Sequence, residues 1–332
     1  MKTNNNLPGL IEAFFTDRLM RQRQVSPNTI ASYRDSFCLL FQFAKQRLNK
    51  EPSNLSIDDL DAPFIGSFLK HTERDRGNCA RSRNVRLAAI HSFFKYIALQ
   101  DPSHSALIQR VLAIPTKRYD RKLIDFLTKP EIEALLAAPD QSTWSGRRDS
   151  ALLHLAIQTG LRVSELIGLT FKDIVLDSGA HVRCRGKGRK DRCTPLRKEM
   201  VAILRSWLRK RSDQPDDPLF PNARGGFLSR DGVEYLLAKH VAVAGQKCPS
   251  IQKKRVSPHV LRHTAAMELL QSGVDITVIA LWLGHESPET AQIYVQANLK
   301  IKEKALAKTT PANVKPRRYK PDDQLLAFLK GL

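Results

Sequence analysis

The chain has 332 residues, enough for two domains, and its 42% hydrophobic and 26% charged residues are typical of a folded rather than a disordered protein. The sequence contains no apolar run of about 18 residues, the length that would span a bilayer, and the N-terminus lacks a signal-peptide pattern. The net charge of +21 indicates a polyanionic partner, although a basic, solvated surface without a ligand would give the same value.

Both parts of the chain share this charge. Residues 1–120 hold 18 basic and 11 acidic residues, a net of +7, and the remainder holds 36 and 22, a net of +14. This distribution favours two domains that grip one duplex over a basic tail on a neutral enzyme. The five cysteines are scattered and form no C-x-x-C pair, so we predict neither a disulfide framework nor a zinc site. This cysteine usage favours a reducing compartment, and we expect a cytoplasmic, nucleoid-associated protein.

The first third of the chain is predicted to be helical. Apolar residues recur at helical spacing from Leu7 to Met20, which favours an amphipathic helix. Ser26-Pro27 reads as an N-cap followed by proline at the first helical position, so a second helix is predicted to begin there. Ser56 to Asp59 has the form of a capping box, with Asp in place of the usual Glu, and predicts the start of a third helix.

A fourth helix is predicted from Asn78 to Tyr96. Its apolar face is assigned to Val85, Ala88, Ala89, Phe93 and Phe94. Residues 1–112 are therefore predicted to form a DNA-binding bundle of about four helices. Residues 113–127 interrupt the pattern with Pro115 and a basic cluster, which fits either a basic linker between two DNA-facing domains or an ordinary solvated loop.

A second domain is predicted over residues 128–308, beginning at the capping box Thr128 to Glu131. Its helices are predicted at Ile132–Ala137, Arg147–Gln158, Glu199–Lys210, Arg230–Val243, Pro258–Gln271, Ile276–Trp282 and Pro288–Ala297. Between them, Ala180–Arg185 and Arg192–Leu196 are predicted to pair as a β-hairpin with Lys187 at its tip, since glycines flank that lysine. The fold class is mainly α with a small antiparallel β-sheet in the second domain.

Residues 309–332 are predicted to be a basic tether and a short apolar docking segment. The segment is too small to fold alone, so we expect it to pack elsewhere, on this subunit or a neighbouring one.

Six residues of the second domain could carry chemistry together. Arg162 follows a Thr-Gly-Leu sequence at the end of a helix, and Lys187 lies at the hairpin tip. His259 and Arg262 form an H-x-x-R motif at a helix start, His285 follows glycine between two helices, and Tyr294 lies on the next helix. Any one of these motifs is weak alone, but their order and spacing are specific in combination.

This series resembles the phage-integrase family of tyrosine recombinases, including the Xer type, and the first domain resembles the family's SAM-like core-binding domain. The resemblance implies that Tyr294 is the nucleophile and that five residues assist it, namely Arg162, Lys187, His259, Arg262 and His285. It implies double-stranded DNA as the partner, a homotetramer or heterotetramer at synapsis, a 3′-phosphotyrosyl intermediate, and no cofactor or metal.

The residue types suit that chemistry. Guanidinium groups of Arg162 and Arg262 can meet the charge that develops on the phosphate in the transition state. Lys187 is the expected general acid for the leaving 5′-oxygen, although Arg189 and Lys190 lie close enough to compete. His259 and His285 would orient the phosphate and help to remove the tyrosine proton.

Other chemistries fit less well. His259 and His263 at i and i+4 could hint at a metal, but no Glu follows His259 and no third ligand lies nearby. Lys187 between glycines could suggest a phosphate-binding loop, but Gly179 to Gly186 is too long a gap and no Ser or Thr follows the lysine. Glu165, close after Arg162, is expected to hold that arginine in place.

Three other functions remain open. A type IB topoisomerase shares the tyrosine chemistry, and a DNA-binding regulator would explain the charge but not the six residues. Within the family, a mobile-element integrase or transposase competes with a chromosome or plasmid dimer resolvase. The C-terminus is longer than that of a minimal Xer-type enzyme, which favours the mobile element.

Overall fold

The computed structural model describes residues 6–120, 124–186, 191–209, 214–285 and 287–297. The chain divides into two compact units, Met1–Arg121 and Lys122–Leu332. The division falls inside the segment 113–127, of which Leu127 is buried in the core of the second unit. The two units are described separately below. No helix in the described ranges is long and apolar enough to cross a membrane.

The first unit is helical in its described part. Its helices are α1 (Leu7–Ala13), α2 (Pro27–Leu48), α3 (Ala62–Arg74), α4 (Ala80–Ile97) and α5 (Ser105–Leu112). A π-helical stretch, Phe14–Gln22, continues α1, so the helix predicted from Leu7 to Met20 changes its hydrogen-bonding pattern midway. As predicted, Ser26 caps α2, and its hydroxyl accepts a hydrogen bond from the amide of Thr29.

The capping interaction predicted at Ser56 exists but does not open the third helix. The amide and hydroxyl of Ser56 both donate to Asp59, at 2.9 and 3.1 Å, and the turn that follows is the 3₁₀ helix Asp58–Leu60. The cap of α3 is Asp61 instead. Pro63 explains the shift, because proline has no N–H to donate and is tolerated only in the first turn of a helix.

Aromatic rings fill the core of the first unit. Phe14, Phe37 and Phe93 are buried and pack edge to face in pairs, with centroids 5.4–6.2 Å apart. The apolar face predicted for α4 is wrong in its first half, since Val85 is 47% exposed and Ala88 is also exposed. The buried row begins instead at Arg83 and continues through Leu87, Ile90, Phe94 and Ile97. Arg83 donates to the carbonyl of Pro115, which explains how a charged side chain can lie on that face.

The second unit has helices around a small sheet. Its described helices are α6 (Lys129–Leu136), α7 (Trp144–Thr159), α8 (Val163–Ile167), α9 (Lys198–Leu208), α10 (Arg230–Lys247), α11 (Pro258–Gln271), α12 (Ile276–Leu283) and α13 (Gln292–Ala297). A 3₁₀ turn, Pro288–Ala291, precedes α13, so the last helix is shorter than predicted. Helix α7 packs against α11 and α9, and its own side chains are largely buried.

Within the described residues the sheet has three antiparallel strands in the order β1-β2-β3. These are β1 (Ile174–Val175), β2 (His181–Arg185) and β3 (Asp191–Pro195). The register aligns Arg185 with Asp191, so the predicted hairpin is confirmed to within one residue at each end. Strand β1 was not predicted, because a run of two residues carries no periodicity. The tip, including Lys187, lies outside the described residues, as does the segment 309–332.

A buried carboxylate, that of Glu131, stabilises the start of the second unit. Glu131, at 1% exposure, accepts from Lys254 at 2.7 Å, from Ser250 at 2.7 Å and from the amide of Thr128 at 2.8 Å. Burial alone would raise the pKa of Glu131, but these hydrogen bonds, led by that of Lys254, lower it from 4.5 to about 2. The carboxylate therefore joins α6 to the segment that precedes α11.

This pair predicts an acid-dependent loss of stability. Because the pKa of Glu131 is lower in the folded protein, its contribution is present above pH 4.5 and is lost as the pH falls towards 2. Glu131→Gln is expected to lower the free energy of unfolding at pH 7 by on the order of 3 kcal/mol. Urea unfolding should show the difference from wild type shrinking below pH 4.5. Glu133→Gln, on the exposed side of the same helix, is the matched control, and an equal effect there would contradict the assignment.

Candidate active site

Arg162 is positioned by the tight end of α7. Gly160 ends that helix with φ 63°, and a Cβ there would lie 2.6 Å from Leu283, so the turn requires glycine. Two residues later Arg162 begins α8 in an extended conformation. Its guanidinium donates to Glu165 at 2.9 Å and to the carbonyl of Gly284 at 3.0 Å. The expectation that Glu165 holds this arginine is confirmed.

Glu165 also binds a second arginine, Arg192 of β3. The guanidinium of Arg192 donates to both carboxylate oxygens, at 3.0 and 2.8 Å, while the backbone amide of Arg162 donates to one of them at 2.8 Å. The side chains of Glu165 and Arg192 are 4% and 12% exposed. Burial would raise the pKa of Glu165, but the hydrogen bonds from Arg192 and Arg162 hold it below its ordinary value. One carboxylate thus fixes two guanidinium groups.

Sequence reasoning missed Arg192, although a signal existed. Residues alternate between the two faces of a strand, and in β3 Arg192 shares its face with the buried Thr194, whereas Cys193 is exposed. An arginine on the inward face of a strand requires a buried anion, and Glu165 is that anion.

Replacing Glu165 by Gln is expected to loosen both arginines. Glutamine keeps the shape but removes the charge, so Arg162 and Arg192 lose their ionic partner within a largely buried cluster. We expect the free energy of unfolding to fall by about 3 kcal/mol, since breaking a buried ion pair leaves an uncompensated charge. Urea unfolding of Glu165→Gln beside Glu199→Gln, a change at an exposed position of α9, measures this. Equal stability of the two variants would contradict the role of Glu165 in holding the two arginines.

Arg262, on α11, is the most buried arginine of the site, at 5% exposure. It donates at 2.7 Å to the carbonyl of Gly160 and at 2.7 Å to that of Leu283, at the C-terminal ends of α7 and α12. Carbonyls at these ends carry the negative pole of each helix and suit a cation. Burial, and then the nearby charge of Arg162, lower the pKa of Arg262 to about 10, so the group remains cationic at neutral pH.

The two predicted arginines therefore meet at one turn. Arg262 binds the carbonyl of Leu283, and Arg162 binds the carbonyl of the next residue, Gly284. Gly284 itself adopts φ 64°, and a Cβ there would lie 2.6 Å from the guanidinium of Arg192. This close approach explains why glycine precedes His285.

Tyr294 is buried at 1% exposure, within an apolar cluster built from α11, α12 and the start of α13. Its hydroxyl lies 3.3 Å from Nδ1 of His263, one helical position after Arg262. The ring of His285 lies parallel to the phenol, at 6.2 Å between centroids. Burial raises the pKa of Tyr294, while the charges of Arg262 and Arg162 act in the opposite direction.

The histidines of the site are uncharged at neutral pH. Burial, and then Arg262, lower the pKa of His285 to about 4; burial, and then His259, lower the pKa of His263 to about 4. Desolvation, and then Arg262, also lower the pKa of His259, at the first turn of α11. Neutral imidazoles can accept a proton or a hydrogen bond.

Four of the six predicted residues thus share one cluster, namely Arg162, Arg262, His285 and Tyr294. His259 lies one turn before Arg262 and is influenced by both arginines. Lys187 lies outside the described residues. His263, which sequence reasoning considered only as a metal ligand, contacts the tyrosine instead. No group of three or more potential metal-ligating side chains occurs among the described residues.

Comparison with known proteins places this chain in a family. The model of the phage integrase family matches residues 125–300, and that of the phage integrase N-terminal SAM-like domain matches residues 11–101. The chain belongs to the phage integrase family of tyrosine recombinases, enzymes that cleave and rejoin DNA through a tyrosine intermediate.

Two relatives illustrate the range of similarity. A protein of Sinorhizobium fredii that carries the name integrase/recombinase y4rC is 57% identical over 332 residues, which is 100% of both chains. Tyrosine recombinase XerD of Pseudomonas putida is 32% identical over 285 residues, covering 84% of this chain and 90% of that protein.

Solved structures share the fold. The XerH site-specific recombinase in its post-cleavage complex with difH DNA aligns with a TM-score of 0.67 at 23% identity, over 86% of this chain and 81% of that one. The Tn1549 transposon integrase with circular intermediate DNA aligns with a TM-score of 0.67 at 17% identity, over 89% and 98%. At these identities the likeness concerns the fold alone.

Proposed function

We propose that Tyr294 is the nucleophile of this recombinase and that Arg162 and Arg262 hold the phosphate that it attacks. The observation that carries the proposal is the turn at Leu283 and Gly284, where both guanidinium groups are anchored beside the buried tyrosine. A phosphodiester seated against the two arginines would face the nucleophile of the same chain.

The two arginines supply charge in a fixed geometry. The carbonyls of Gly160 and Leu283 take two of the five N–H donors of Arg262, so up to three remain for a phosphate. Because the guanidinium is already oriented, it stabilises the charge that develops on the non-bridging oxygens without reorganising.

The reaction is a transesterification. The phenolic oxygen of Tyr294 forms a bond to phosphorus as the bond to the 5′-oxygen breaks, which leaves a 3′-phosphotyrosyl link and a 5′-hydroxyl. The phenolic proton goes to a base, with His259 and His285 as the assisting imidazoles, and Lys187 donates a proton to the leaving oxygen. The phosphotyrosyl link conserves the bond energy, so rejoining needs neither ATP nor a catalytic metal.

The partner is double-stranded DNA, gripped by a core-binding domain, residues 1–112, and a catalytic domain, residues 128–308. The net charge of +21 supports such a grip. We further propose that the protein forms a homotetramer or heterotetramer at synapsis, and that the segment 309–332 docks on this or a neighbouring subunit. The protein would act in the cytoplasm, associated with the nucleoid. Deletion of residues 324–332 should then weaken assembly on DNA.

The biological role is integration, excision or transposition of a mobile element. The match to y4rC, which spans both chains entirely at 57% identity, supports an integrase role. Dimer resolution of the Xer type is the second candidate, supported by XerD proteins at 32–34% identity.

The test is to trap the covalent species on host DNA. The protein is incubated with that DNA and denatured, the attached DNA is sequenced, and the modified peptide is mapped by mass spectrometry. We expect phosphotyrosine at Tyr294 and DNA from the ends of a mobile element. A single chromosomal site would favour Xer-type resolution instead. An adduct at any other residue would overturn the assignment of the nucleophile.

A further inference from the structure

The hydroxyl of Tyr294 has a specific polar neighbour in the apolar cluster that surrounds it. His263 Nδ1 lies 3.3 Å from that hydroxyl, and the two rings meet edge to face, with centroids 5.7 Å apart at 61°. The other ring beside the phenol, that of His285, lies parallel to it at 6.2 Å, which is a ring contact and not a hydrogen bond. Among the described residues, His263 is the side chain that contacts the hydroxyl oxygen.

The direction of this hydrogen bond depends on which nitrogen of the imidazole carries the proton. His263 is packed against Tyr294 and lies near His259, Arg262 and Asp125, and its pKa is lowered to about 4, chiefly by burial. It is therefore neutral at physiological pH and has one donor and one acceptor nitrogen. With the proton on Nε2, Nδ1 accepts the phenolic hydrogen. A buried hydroxyl needs such a partner, because leaving it unpaired in an apolar cluster is unfavourable.

We propose that His263 is a positioning residue for the nucleophile: its Nδ1 accepts the hydrogen of the Tyr294 hydroxyl and fixes the phenolic oxygen beside the arginine pair. This inference deepens the proposed function and rests on it. It gives a role to a histidine that lies outside the six-residue set inferred from the sequence.

The contact holds the hydroxyl with its proton in place before the phosphate binds. Burial raises the pKa of Tyr294, and the pKa of His263 is lowered to about 4, so in the resting site the proton stays on the phenol. The contact therefore keeps the phenol protonated and oriented until the phosphate arrives. Helix α11 carries both His263 and Arg262, so one rigid element sets the nucleophile and one phosphate ligand together.

Two substitutions at His263 separate the hydrogen bond from the packing. In His263→Asn the amide oxygen can occupy the place of Nδ1 and accept the same hydrogen bond. His263→Leu fills a similar volume but has no acceptor. Thermal unfolding of both variants checks that each folds, and the asparagine variant carries the test if the leucine variant is impaired.

The first measurement needs no DNA. The six tyrosines are labelled with ¹³C at Cζ, and Tyr294→Phe identifies the resonance of Tyr294. That resonance responds to hydrogen bonding of the hydroxyl, so we expect it to move in His263→Leu and to stay near its wild-type position in His263→Asn. The same resonance in wild type and His263→Leu would overturn the contact itself.

The second measurement is single-turnover formation of the covalent adduct on the trapped DNA site. We expect His263→Leu to be slower by about 10–100-fold, because small displacements of a nucleophile cost up to about 10²-fold. His263→Asn should remain within about threefold of wild type, with DNA affinity unchanged in both. An imidazole that is neutral above pH 5 does not titrate, so wild type and His263→Asn should share one pH profile.

Each failure has its own signature. Adduct formation as slow in His263→Asn as in His263→Leu, or unchanged in His263→Leu, would overturn the positioning role. If Tyr294→Phe still forms the adduct, the proposed function fails, whereas the ¹³C comparison still reports on the contact between His263 and the phenol.

Discussion

Tyr294→Phe is expected to abolish the covalent DNA adduct and to leave DNA binding intact. The substitution removes one oxygen from a side chain at 1% exposure, and with it the proposed nucleophile and the contact with His263. The ring still fills the cluster between α11 and α12, so the fold should persist. The yield of adduct on the trapped DNA site, measured after denaturation, should fall below detection, while gel-shift affinity stays within about threefold, because most of the affinity comes from phosphate contacts.

Tyr235→Phe is the matched control. It makes the same chemical change on α10, at a tyrosine that is 76% exposed, whereas Tyr294 is buried. We expect full adduct yield from this variant. An adduct that persists in Tyr294→Phe would show that another residue attacks the phosphate.

Arg262→Lys is expected to slow adduct formation by about 100–1000-fold, the range seen when one preorganised donor to a developing oxyanion is lost. Arg262 binds two carbonyls, of Gly160 and Leu283, and in the proposed reaction it must also present N–H groups to the phosphate. Lysine keeps the charge but has a single nitrogen, so it cannot span both carbonyls and the phosphate in one geometry. Single-turnover cleavage at saturating protein isolates this step from binding.

The control is Arg21→Lys, in the first unit, where the side chain is 81% exposed and pairs with Asp17 one helical turn away. A lysine can make that pair equally well, so no change is expected. A rate for Arg262→Lys within threefold of wild type would contradict the anchored geometry of the site.

The sequence predicted the helical first domain, the hairpin and most helices of the second domain, because these features depend on local periodicity and caps. The exact ends of most helices were not predicted. Pro258–Gln271 is reproduced residue for residue, since Ser257 caps it and proline begins it. The errors have tertiary causes. The buried face of α4 begins at Arg83, which donates to a carbonyl more than 30 residues away, and no local pattern reveals such a partner.

The candidate site was predictable as a set of residues but not as a network. Arg162, Arg262 and Tyr294 carry recognisable spacing, whereas Arg192 is tied to the site by Glu165, 27 residues earlier in the chain. His263 was visible as a neighbour of Arg262, but its contact with Tyr294 depends on how α13 folds back on α11. Contacts of this kind arise from packing and are not encoded by spacing.

The net charge of the arginine and carboxylate cluster bears on whether it would bind the intact phosphodiester or the transition state more tightly. Arg162, Arg192 and Arg262 with Glu165 carry a net charge of +2, and the neighbouring His263 and His285 add none at neutral pH. A phosphodiester brings a single negative charge, whereas the pentacoordinate phosphorane formed on attack carries two. If the cluster holds the phosphate as proposed, its excess positive charge is matched more fully by the dianionic transition state than by the intact phosphodiester, so we expect it to stabilise the transition state more than bound DNA.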